Sequence, residues 1–124
     1  MKKIIIFSLI ILFFPKTQNV FGGSGVFTVD NIEVVGELDG NNNRDKYLRV
    51  AFRKGFQKLI VSIIRKEDQK ELLSTELKTI SNFVSSYKII EEKVSAESYT
   101  LRLGITFNRK LVEKFLQKSN FFIF

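Results

Sequence analysis

The stretch Asn43-Arg-Asp-Lys-Tyr-Leu-Arg-Val-Ala-Phe-Arg-Lys-Gly-Phe-Gln-Lys-Leu-Ile-Val-Ser-Ile-Ile64 decides the fold. Within it Leu48, Ala51, Phe52, Gly55, Phe56, Leu59, Ile60, Ile63 and Ile64 recur at alternating intervals of three and one, which is helical spacing with one broad apolar face. Everything downstream is short, so this helix must supply most of the core. Gly55 at the edge of that face costs helix stability and leaves room for the close approach of another backbone.

Toward the C-terminus, the charged run Arg65 to Gln69 breaks the pattern. Beyond it Leu73, Leu77, Ile80, Val84 and Tyr87 form one stripe, with Leu72 and Phe83 beside it, and predict a second long helix antiparallel to the first or steeply crossed on it. Lys88 to Val94 and Ser98 to Phe107 read as strands joined by a hairpin at Ser95-Ala96-Glu97. In the second strand Tyr99, Leu101, Leu103, Ile105 and Phe107 alternate strictly with Thr100, Arg102, Gly104 and Thr106, which puts one face on a core and the other toward solvent. Asn108 then caps a shorter helix carrying Leu111, Val112, Phe115 and Leu116. Phe121-Phe122-Ile123-Phe124 predicts a final short strand on the sheet edge. Its alternatives are an edge offered to a partner strand and a terminal aromatic signal for outer-membrane assembly.

Toward the N-terminus, Gly36 to Asn43 is a loop, with Asn42 or Asn43 as the helix N-cap. Its Asp39-Gly40-Asn41-Asn42-Asn43 run invites comparison with a calcium loop, but Arg44 stands where the sharp-turn Gly belongs and Val50 where the bidentate Glu belongs. Val26 to Val35 alternates partly around Asp30-Asn31 and predicts a strand with a bulge, or two short strands. Gly23 to Gly25 is a flexible lead-in. Met1 to Gly22 has the parts of a secretory signal: Lys2 and Lys3, an apolar run from Ile4 to Phe14 interrupted only by Ser8, then Pro15 and a small residue at Gly22. That run is too short to span a bilayer comfortably. An uncleaved N-terminal anchor is the alternative.

Composition removes whole chemistries. The 124 residues contain no Cys and no His, so disulfides, thiolate nucleophiles, imidazole acid-base catalysis and the usual zinc or haem ligands are excluded together. The formal charge of +7 falls to +4 once Lys2, Lys3 and Lys16 are set aside, leaving 17 basic against 13 acidic residues. A nucleic-acid reader would carry a stronger basic stripe interleaved with stacking aromatics. Lys46, Arg49, Arg53, Lys54 and Lys58 flank the apolar face of the first helix, and Asp45 is the sole acid between Arg44 and Lys66. Lys46, Arg49, Arg53 and Lys58 are the candidate residues for binding phosphate groups, anionic lipid or an acidic protein. The competing reading is a solvated face whose long stems cover apolar surface.

Two apparent catalytic motifs are set aside. Ser85-Ser86-Tyr87-Lys88 has the Ser-x-x-Lys spacing of penicillin-recognising enzymes but none of their other elements. Glu91 and Glu92 are adjacent on a strand, point to opposite faces and cannot converge; pairing with Arg102 across the strands is the expected use.

The signal segment, Phe27-Thr28-Val29 opening a strand, the Arg-containing helix from Arg44 to Arg65, Phe83-Val84-Ser85-Ser86-Tyr87-Lys88-Ile89 leading into Glu92-Lys93, and the strand-then-helix Leu103 to Leu116 together resemble the bacterial domain of unknown function 2066 family over residues 26–124. The resemblance implies a cell-envelope protein without established catalytic residues. Expected, then, is a single α+β domain over 26–124: a small antiparallel sheet of three to four strands packed against two long helices and a shorter C-terminal helix. Its expected role is that of a non-enzymatic periplasmic interaction or structural module needing no cofactor and no metal. The alternative role is binding of an anionic ligand or membrane surface.

Overall fold

Strict alternation makes Ser98–Asn108 the centre of the sheet. Tyr99, Leu101, Leu103, Ile105 and Phe107 are all buried, and the residues between them are half-buried, so this strand is covered on one face and flanked on both sides. The computed structural model describes residues 25–123; the expected signal over 1–22 and the terminal Phe124 lie outside them. The elements run β1 (Val26–Glu37), α1 (Asn43–Ile63), α2 (Lys66–Leu73), α3 (Leu77–Phe83), β2 (Val84–Val94), β3 (Ser98–Asn108) and α4 (Arg109–Lys118). The strands form one antiparallel sheet in the order β1-β3-β2. The fold is α+β.

Helix α1 buries Tyr47, Leu48, Ala51, Gly55, Phe56, Leu59, Ile60 and Ile63, mainly against β1 and β3. Phe56 is fully enclosed between Phe83 and Phe107, with ring centroids 5.9 and 6.3 Å away. Gly55 does what its position suggested. A Cβ there would stand 2.8 Å from Ile105 Cδ1, inside van der Waals contact, so the bare backbone lets the helix settle onto the sheet.

Strand β1 contains the expected bulge. Its pairing steps from Val29 opposite Ile105 to Ile32 opposite Leu103, and Asn31 takes a left-handed φ of 58° that Asn tolerates better than most residues. The extra residue keeps Phe27, Val29, Ile32 and Val34 on one buried face despite the odd spacing between Val29 and Ile32.

The expected second long helix is corrected to two short ones, so a single long helix serves the fold. Ser74 Oγ donates back to Glu71 O at 2.9 Å and Thr75 Oγ1 to Leu72 O at 2.6 Å, which gives the chain a turn in place of further helix. Arg53 of α1 donates to the part-buried carbonyl of Thr75 at 2.9 Å and holds the break. The stripe also ends early. Val84 and Tyr87 belong to β2, which begins four residues ahead of the expected Lys88, and Tyr87 is half-exposed beside the Phe52 ring. Helical and extended periodicities overlap over these few residues, and pairing with β3 decides between them.

Of three ends, two differ from the expectation and one matches it. Neither Asn42 nor Asn43 caps α1 through its side chain: Asn42 takes the left-handed turn before the helix, and Asn43 Oδ1 accepts from Asp39 N at 2.7 Å. Asn108 caps α4 as expected, its Oδ1 accepting from Leu111 N at 3.0 Å. Leu111 itself is exposed, off the stripe formed by Val112 and Leu116. Among the described residues, the tail does not extend the sheet. Asn120 adopts a left-handed φ of 65°, Asn120 N bonds Gln117 O and Phe121 N bonds Leu116 O, a Schellman turn that reverses the chain. Ile123 is thereby brought into a single antiparallel bridge with Ile64 at the end of α1.

Candidate interaction surface

A three-stranded sheet has two outer edges, each a row of backbone donors and acceptors needing partners. The helix layer lies over β1 and β3, and this offset treats the two edges differently. Along β1, Lys54 Nζ donates to Glu33 O at 2.6 Å and Lys58 Nζ to Asp30 O at 3.3 Å, so two outward carbonyls are already satisfied. Along β2, pairing runs only to β3, and the described residues offer its outer edge no partner. Tyr87, Ile90 and Val94 are 44%, 50% and 61% exposed along it.

Register with β3 sorts the β2 side chains. Val84, Tyr87, Ile89, Glu92 and Val94 stand opposite the buried residues of β3 and face the helix layer. Ser86, Lys88, Glu91 and Lys93 stand opposite Thr106, Gly104, Arg102 and Thr100 on the open face. A bulge between Ile89 and Glu91 resets the alternation at Ile90. The open face is shallow and polar. Thr28, Thr106 and Ser86 form one cross-strand row, and a depression around Gly104 lies between Asp30 on β1 and Lys88 on β2. A Cβ at Gly104 would stand 3.1 Å from Asp30 Oδ1, a tight contact that the exposed Asp30 side chain can relieve by a small shift.

The acidic pair separates as strand geometry requires. Glu91 takes Arg102 on the open face at 3.3 Å, whereas Glu92 points to the helix side. There Arg44 binds the Glu92 carboxylate in fork geometry, Nη2 to Oε1 at 2.5 Å and Nε to Oε2 at 3.1 Å, and the Tyr99 hydroxyl donates a short hydrogen bond to the same carboxylate. Hydrogen bonds from Arg44 and then Tyr99 hold the Glu92 carboxyl below its ordinary range, and contact with Glu92 raises the Arg44 guanidinium. Burial, then the Glu92 contact, pushes the Tyr99 phenol up to about 12. Tyr47 stacks on Tyr99 at 5.3 Å and donates to Glu37 O at 2.7 Å, completing a clasp that ties the start of α1 to the hairpin.

The four candidate binding residues do not form one cluster. Lys46 pairs with Asp39 at 3.3 Å, Arg49 with Asp45 at 2.7 Å, Arg53 reaches the Thr75 carbonyl and Lys58 the β1 edge. Lys46, Arg49 and Arg53 share a row on α1 by their spacing, while Lys58 turns toward β1. Asp39, the first oxygen of the calcium-like run, is the residue Lys46 engages. Ser85 and Lys88 lie on a strand, where three residues span about 10 Å, so the Ser-x-x-Lys spacing brings no amine to the hydroxyl. Among the described residues no group of three acidic side chains is placed to hold a metal ion, and no helix is long and apolar enough to cross a membrane.

Sequence reading missed the β2 edge as the distinctive surface. Its signal was the pair Ile89-Ile90, two apolar residues in succession inside a charged strand, which marks a change of face. No family model, curated protein or solved structure matches the chain.

Proposed function

We propose that this chain is a non-enzymatic interaction module that engages an extended segment of a partner along the outer edge of β2. One observation carries the reading: two outward carbonyls of the β1 edge, Glu33 O and Asp30 O, are taken by Lys54 and Lys58, while among the described residues the backbone of the outer β2 edge has no partner and lies beside exposed apolar side chains. Strand addition supplies affinity through main-chain hydrogen bonds and leaves side-chain alternation to set specificity. We assign it to the periplasm, on the charged-then-apolar N-terminal pattern and on the resemblance to the domain of unknown function 2066 family of envelope proteins. Release by osmotic shock, with a mature mass lacking residues 1–22, is the expected result for location. An intact Met1 overturns the cleaved form.

A photoreactive residue at Ile90, compared with one at Glu33 on the opposite edge, tests the surface in cells. Adducts are expected from position 90 and not from 33. Adducts from 33 alone, or none from 90, overturn the reading.

A second reading, binding of anionic ligands or membrane surfaces, draws on the shared row of Lys46, Arg49 and Arg53 along α1, with Lys58 beside it. Sedimentation with anionic vesicles at low and high salt tests it; absence of binding at both removes it.

A further inference from the structure

We infer that the partner on the β2 edge is a second copy of this chain, paired antiparallel about a two-fold axis that passes between Ile89 and Ile90. This rests on the edge reading above and names its occupant. A two-fold pairing sets residue i against the residue whose number completes a constant sum, and it must keep open-face residues opposite open-face residues.

With the axis between Ile89 and Ile90, Lys88 stands opposite the partner's Glu91 and Ser86 opposite the partner's Lys93. All of these lie on the open face. Tyr87 stands opposite the partner's Glu92, both on the helix-covered face. The arrangement is reciprocal, so the Lys88 to Glu91 contact occurs twice. Ile89 and Ile90 of the two copies gather at the axis, covering the half-exposed Ile90 side chain.

Charge selects this register. Two other alignments keep the faces over most of the strand. One sets Lys88 against the partner's Lys88, and the other sets it against the partner's Lys93, twice. Both place like charges directly opposite, which destabilises a strand pair. Lys88 is free to serve: none of the ion pairs among the described residues includes it, whereas Glu91 is already oriented on the open face by Arg102. The outer edges left over in the resulting sheet of six strands are the two β1 edges, where Lys54 and Lys58 occupy the carbonyls of Glu33 and Asp30.

Sedimentation equilibrium of the full chain tests the pairing. Wild type should dimerise below about 0.1 mM. Lys88→Glu and Glu91→Lys should each weaken the dimer about tenfold, and the double reversal Lys88→Glu/Glu91→Lys should restore it, since both contacts are re-formed with exchanged signs. Restoration also shows that the single variants fold. Because the chain has no Cys, register is read separately by mixing Lys88→Cys with Glu91→Cys copies, which should join by a disulfide faster than Lys88→Cys with Lys93→Cys. A monomer at that concentration, a dimer indifferent to the single reversals, a double reversal that fails to rescue, or preferential joining of positions 88 and 93 overturns the inference. A monomer whose position 90 still cross-links to another protein overturns the second copy but keeps the edge as an interface. Loss of both overturns the edge reading itself.

Discussion

Replacing Gly55 with Ala sets two effects of similar size against each other. Alanine in a helix interior is favoured over glycine by about 0.8–1.0 kcal/mol, and an exposed site would gain that amount. Here the new methyl would sit 2.8 Å from Ile105 Cδ1, with Phe107 Cζ at 3.6 Å and Ile32 Cγ1 at 3.8 Å. Ile105 and Phe107 are fully buried and Ile32 nearly so, leaving the isoleucine tip little space to retreat. Overpacking of this kind costs about 1–3 kcal/mol, so the expected net result is destabilisation by about 1 kcal/mol. Ile105→Val removes the clashing carbon at a cost of its own of about 0.5–1.5 kcal/mol. The double variant Gly55→Ala/Ile105→Val should therefore be less destabilised than the sum of the singles, with a coupling of about 1 kcal/mol. Urea unfolding of the four proteins, with m-values held equal, gives these quantities directly. A stabilised Gly55→Ala, or additive effects in the double variant, would refute the close-contact argument.

Phe56→Ala empties a site enclosed by Phe83 and Phe107 and should cost about 3–5 kcal/mol, read as a large fall in the midpoint of thermal unfolding. Removing the α4 cap with Asn108→Ala should cost about 1 kcal/mol by urea unfolding. The folded-state Glu92 carboxyl is depressed, so its contribution is present above the ordinary carboxylate range and is lost as pH falls through its lowered value; Glu92→Gln should flatten that acid limb of stability by about 1 kcal/mol or less, as expected of a partly exposed pair. The Tyr99 phenol is raised, so stability present below pH 10 should decline between pH 10 and about 12, and Tyr99→Phe should abolish that decline in alkaline unfolding curves.

Long, regular patterns were the legible part of this sequence. The α1 face, the alternation of β3, the Asp30-Asn31 bulge, the hairpin at Ser95 to Glu97 and the Asn108 cap all follow from residues acting over short range, and each stands where the pattern puts it. The region from Leu72 to Ile90 was harder because its apolar residues continue one helical stripe as far as Tyr87, past Val84 where the chain becomes extended. Side-chain bonds at Ser74 and Thr75, together with pairing to β3, settle it. The contrast between the two sheet edges was not legible at all. It depends on where α1 lies across the sheet, which places the Lys54 and Lys58 ammonium groups over β1, and no local pattern records that lateral offset.

Those two lysines have a consequence for stoichiometry. A sheet open at both sides is a link that can be joined at each end, and identical links add without limit into a fibre. A sheet with one side occupied is a terminator: it joins once and stops. Under the two-fold pairing proposed above the β1 edges are the ones left outside, and Lys54 and Lys58, by occupying Glu33 O and Asp30 O, hinder the addition of a further strand there; replacing both by shorter residues should raise the tendency of the chain to add beyond a dimer.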